Sequence, residues 1–242
     1  MQLGRISLPT HNDSEDFDEY EDGDYPQNNE HQNKFKYSKN INLRKSSQKS
    51  RNSNDMLSVG DFNAMHFDTL PFDQASAGED IDYYELLDNP EINFRFMLYG
   101  QNGNGKSTFA VKFAKFLSEK FGKTLFCSSE EGISISLQNK VKHIKNKNFF
   151  VVACKTGKEL ITLLKRRENF DIDFIFIDSI NDMNITLEEF TQIIELKPRG
   201  VVYIMQCNKD GSFRGKNAFA HDCDIRVRVE NFEPHTEKNR YR

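Results

Sequence analysis

The chain has 242 residues, a formal net charge of −4 and 29% charged residues, enough for one sizeable α/β core with tails and not the balance of a protein that binds nucleic acid through its overall charge. Its four cysteines, Cys127, Cys154, Cys207 and Cys223, lie far apart without a C-x-x-C pair, so a reducing, cytoplasmic compartment without structural zinc is expected. No apolar run approaches the ~20 residues of a membrane helix, and the polar N-terminus lacks a signal-peptide apolar region, so no membrane partner is expected.

In chain order, residues 1–55 combine few aliphatics with segregated charge, an acidic block from Asp13 to Asp24 preceding a basic block from Lys34 to Arg51. This predicts a disordered tail. It is either simply solvated, or its basic block touches nucleic acid or a partner while the acidic block competes for it. Residues 56–93 carry irregular apolar positions and then "IDYYELLDNPE", a short helix that should stop before Pro90 because the residue before proline avoids the α region. This stretch reads as a lead-in segment packed on the core.

Residues 94–242 alternate strand and helix patterns. "FRFMLYG" reads as a buried strand, and Phe109, Phe113, Phe116, Leu117 and Phe121 form one face of a helix ending at Gly122. "TLFCSS" is a strand, Ile133, Leu137, Val141 and Ile144 make one helical stripe, and "FFVVAC" is again a strand. "KELITLLKRREN" reads as a helix and "DFIFIDS" as a strand, and Thr186 with Glu189 forms a capping box opening the next helix. "GVVYIMQ" and the alternating "IRVRVE" complete the strands. Strands separated by helices at this interval predict an α/β fold with a mostly parallel central sheet flanked by helices.

Between the first strand and helix lies Gly100-Gln101-Asn102-Gly103-Asn104-Gly105-Lys106-Ser107-Thr108. It fits G-x-x-x-x-G-K-[ST], a loop whose backbone N–H groups curl around phosphate. The strand "DFIFID" ends in Asp178, where a carboxylate can hold Mg²⁺, usually through water, beside the Ser107 hydroxyl. Together the two motifs predict binding of ATP and Mg²⁺. "LFCSSEEG" places Glu130 and Glu131 at a strand's carboxyl end, where one of them can orient or deprotonate an attacking water. "NKDG" at Asn208 to Gly211 imitates a guanine-reading motif but has glycine where the carboxylate must stand, which disfavours GTP.

"GQNGNGKST", "FCSSEEGISISLQNKVKHI", "FIFIDSI" and "QCNKDGSFRGKNAFAHDCDIRVRVE" together resemble the RecA-like ATPases, most closely the RadA (Sms) branch with the related DnaB and KaiC modules, and the closing "EKNRYR" is similar to RadA's K-N-R-F-G motif. The resemblance covers about residues 94–242 and implies a homo-oligomer, a hexamer-like ring or filament. It implies that Glu130 is the catalytic glutamate with Glu131 its neighbour. Gln206 takes the place of a γ-phosphate sensor, and Lys238 and Arg240 reach the nucleotide of the adjacent protomer. Two loops, residues 179–184 and 207–221, match those lining the DNA path of RecA-like rings, and the second carries Lys209, Arg214 and Lys216, suited to a phosphate backbone. RadA's four-cysteine module and protease-like domain have no counterpart here, so a compact ATPase of a phage or other mobile element is expected.

The reading is therefore an ATPase handling single-stranded DNA beside other replication or recombination proteins. A nucleotide-gated protein-interaction switch of KaiC-like logic is the rival, and a small-molecule kinase a weaker third.

Overall fold

The computed structural model describes residues 56–166, 171–208, 213 and 218–242. The tail read from residues 1–55, and the positions Lys209, Arg214 and Lys216, lie outside the described residues. The elements run α1 (Val59–Asn63), α2 (Phe72–Ala75), α3 (Tyr83–Leu87), β1 (Phe94–Gly100), α4 (Lys106–Lys120), β2 (Thr124–Ser128), α5 (Ile135–Val141), β3 (Phe149–Val152), α6 (Gly157–Leu164), β4 (Phe174–Asp178), α7 (Leu187–Glu195), β5 (Gly200–Gln206), α8 (Ala218–Asp222), β6 (Ile225–Glu230) and β7 (Glu233–Asn239).

The strands form one sheet in the order β3-β2-β4-β5-β1-β6-β7, parallel throughout except for the antiparallel β6–β7 pair. Helices cover both faces, so the central strands read as continuous apolar runs. Alternation along β1 sends Phe94, Phe96 and Leu98 into one core cluster and Met97 and Tyr99 into the other. On the first face α4 inserts Phe109, Phe113 and Phe116, a three-to-four-residue spacing that aligns the rings. On the second, α6 and α7 contribute Leu160, Ile161, Leu164, Phe190 and Ile193. The Thr186–Glu189 capping box is formed in full.

Leu70, Phe72, Tyr83 and Leu87, from the segment before β1, belong to the same buried cluster as α4. The Phe72 ring lies 6.0 Å from Phe113, 5.3 Å from Phe116 and 5.4 Å from Phe121, and Tyr83 stacks on Phe116 at 4.3 Å. Phe72 is wholly buried, so Phe72→Ala should lower unfolding free energy by about 3–5 kcal/mol through lost burial and a cavity. A guanidinium chloride titration followed by circular dichroism checks this, and a loss below about 1 kcal/mol would mean that the segment does not pack there in solution.

Two elements differ from the sequence expectations. The stripe from Ile133 to Ile144 is shorter as a helix, because the Ser134 side chain caps α5 and leaves Ile133 outside it, 72% exposed. Residues 233–239 form β7 where "IRVRVE" was expected to be the last strand. The polar segment "EPHTEKN" pairs only with β6, at the sheet edge, and so lacks the apolar alternation that marks a half-buried strand. No described helix is long and apolar enough to cross a membrane.

Candidate active site

Sheet order decides what meets what. Strands β2, β4, β5 and β1 are consecutive and parallel, so their carboxyl ends share one sheet edge. That edge carries a cleft of ≈ 250 Å³ whose lining includes Gly105, Lys106, Ser107, Glu130, Asp178 and Gln206. Ligands of open α/β sheets bind outside such carboxyl ends.

The loop Gln101–Gly105 closes on itself. The Gln101 carbonyl accepts from the Asn104 N–H at 3.3 Å and from Lys106 Nζ at 2.9 Å. Gly105 caps α4 with φ 91°, a left-handed conformation that glycine adopts without a Cβ penalty. Gly105, Lys106, Ser107 and Thr108, the start of α4, line the cleft, and the N–H groups and dipole of a helix start favour an anion there. Lys106 is buried, which pulls its pKa down, while Asp178 and Glu130 oppose that shift.

Asp178 ends β4 beside Ser128 of β2. Burial lifts its carboxyl from the ordinary 3.8 to about 6, with Glu130 and Glu131 adding to the shift and the Ser107 hydroxyl, hydrogen-bonded to it, opposing. A carboxyl that holds its proton more tightly folded than unfolded lowers stability as pH rises through that window, so the ionised site favours a cation. Glu131 points the same way. Its Oε1 pairs with Lys140 of α5, and its buried Oε2 has no hydrogen-bond partner among the described residues. The donors thus fit a hydrated Mg²⁺ at Ser107 and Asp178, an all-oxygen set suited to that hard ion.

Glu130 differs from its neighbour. It is exposed on the cleft, and Gln206 Nε2 approaches its Oε2 at 3.5 Å and donates to Asp182 Oδ2 at 3.3 Å. Asp182 also accepts from Ser179 Oγ at 2.7 Å, and Asn181 Oδ1 accepts from the Gln206 N–H at 2.8 Å. The end of β5 is thereby tied to the loop that follows β4.

Lys238 and Arg240 stand elsewhere. Strand β7 runs away from the cleft, and Lys238 pairs with Arg226 near the start of β6, four residues before the carboxyl end of that strand at Glu230, or ~13 Å of strand. Lys238 Nζ donates to the carbonyls of His221 and Cys223, and Arg240 Nη1 donates to Asp224, which also holds Arg95. Neither cation reaches the cleft of its own chain.

Sequence reasoning missed Lys140 and Phe232 in the cleft. Nothing local marks Lys140, which sits nine residues past Glu131. For Phe232 the available signal was Asn231-Phe232 between two extended segments, the frame of a two-residue hairpin.

A Gly-rich loop after β1, a buried aspartate ending β4 and a glutamine ending β5 sit on a parallel sheet with an antiparallel edge hairpin. The fold is RecA-like. It is similar to the flagellar accessory protein FlaH from Methanocaldococcus jannaschii, with a TM-score of 0.51 at 12% identity over 72% of this chain and 88% of that one. It is also similar to the KaiC-like protein PH0186 from Pyrococcus horikoshii OT3, with a TM-score of 0.50 at 16% identity over 65% and 85% of the two chains. The chain matches no protein-family model and no curated protein.

Proposed function

We propose that the protein hydrolyses MgATP as a RadA-like homo-oligomer, ring or filament, and couples hydrolysis to the handling of single-stranded DNA in replication or recombination. The observation that carries the hydrolytic half is the meeting of Lys106, Ser107, Asp178, Glu130 and Gln206 in one cleft at four consecutive strand ends. The N–H groups of residues 101–108 and Lys106 hold the phosphates. Ser107 and Asp178 would hold Mg²⁺, which when bound neutralises charge on the phosphate oxygens. Glu130 accepts a proton from the attacking water or orients it, while Glu131, engaged by Lys140, shapes that wall. Gln206 senses the terminal phosphate and passes its state through Asp182 to the loop after β4. The DNA half rests on Lys209, Arg214 and Lys216, which follow β5 in the sequence.

The test is ATP turnover with and without single-stranded DNA. Stimulation is expected, with Lys106→Ala removing turnover in both conditions. DNA affinity should fall with salt by about −0.7 log–log units per phosphate contact, and neutral replacements at Lys209, Arg214 and Lys216 should flatten that slope. The likeness to a KaiC-like protein supports a second reading, a nucleotide-gated switch that binds a protein partner. DNA-independent turnover with no DNA binding at low salt would favour it.

A further inference from the structure

The β6–β7 hairpin turns on Asn231 and Phe232, with φ of 51° and 67°, the two-residue geometry that matches strand twist. Asn tolerates this conformation. A bulky aromatic does so rarely, and such backbone outliers concentrate where a ligand is clamped. The turn is not a free tip. The Phe232 N–H donates to the Asn104 carbonyl of the phosphate loop at 3.0 Å. The ring lies on Gly105 so closely that a Cβ there would sit 2.5 Å from Phe232 Cδ1, and Gly100 likewise leaves no room for a side chain against the Val229 carbonyl. Two glycines of the cradle thus admit this hairpin as well as an anion.

Despite that close seat, Phe232 is 68% exposed and lines the cleft. Burial of the ring therefore does not account for a phenylalanine at a position where Asn or Gly would serve the turn better. An aromatic face fixed by backbone hydrogen bonding beside a phosphate cradle suits one further group of a nucleotide, its planar base. We propose that Phe232 is the platform on which the nucleobase stacks, so that the edge hairpin forms the base subsite and the loop Gln101–Gly105 the phosphate subsite. This rests on the nucleotide reading of the cleft.

Two variants and two ligands test it. Phe232→Asn removes the ring while suiting the left-handed turn, so it should fold at least as stably as the parent. Its Kd for MgATP should rise about 5- to 150-fold, the range of base stacking on an aromatic side chain. Its Kd for magnesium tripolyphosphate, which has no base, should stay within about twofold. The protein contains no tryptophan, so Phe232→Trp supplies a single reporter whose fluorescence should be quenched by MgATP and not by tripolyphosphate. Equal weakening of both ligands in Phe232→Asn would overturn the inference by making the ring a structural cover for Gly105, as would unchanged ATP affinity. No binding of MgATP by the wild-type protein would overturn the nucleotide reading and this inference with it.

Discussion

Replacing Arg240 by alanine should leave MgATP affinity nearly unchanged and lower turnover by about 10³-fold or more, the scale of an arginine finger. The fold itself sharpens this expectation. Arg240 follows β7 at the end of the sheet remote from its own cleft, so any action on nucleotide must be on a neighbour's. Its guanidinium is held in place by Asp224 but is 49% exposed, and a planar fork with five donors can keep that bond and still present others. Mixing decides the geometry. An Arg240→Ala protomer retains its phosphate cradle, and a Lys106→Ala protomer retains its Arg240, so co-assemblies should regain turnover that neither variant has alone. If the mixture stays inactive while native mass spectrometry shows co-assembly, or if wild-type protein turns over ATP as a strict monomer, Arg240 serves only to neutralise Asp224.

Glu130→Gln should retain MgATP and lose turnover by about 10²–10⁴-fold, the contribution of a positioned general base. The amide keeps the shape of the side chain and its approach to Gln206, but it cannot take a proton. Glu131→Gln is the informative control. Its partner Lys140 would lose an ion pair, so the expected effect is a modest change in turnover together with some loss of stability. Single-turnover kinetics with separately measured ATP affinity distinguishes the two. A reversal, with Glu131→Gln inactive and Glu130→Gln near wild type, would move the base to Glu131 and make Lys140 its modulator.

The sequence by itself determined much of what depends on residues close along the chain, though not the Ser134 cap of α5 or the turn at Asn231 and Phe232. The G-x-x-x-x-G-K-S spacing sets a loop that the structure closes on the Gln101 carbonyl. The i, i+4, i+7 phenylalanines set the buried face of α4, and Thr186 with Glu189 sets the start of α7. The aliphatic run ending in Gln206 sets β5 to the residue, and the run ending in Asp178 sets β4 to within one residue at each end. Each of these follows from helix period, strand burial or capping chemistry, which act over a few residues. Tertiary structure alone decided the strand order, because that order depends on which apolar faces pack across the sheet and not on any local pattern. It placed β4 and β5 between β2 and β1, which brings Glu130, Asp178 and Gln206 to the cradle. It gave the polar segment "EPHTEKN" a strand partner in β6 and carried Lys238 and Arg240 to the far end of the sheet. It also laid Phe232 on Gly105, a contact across 127 residues of chain that exists because β6 pairs beside β1.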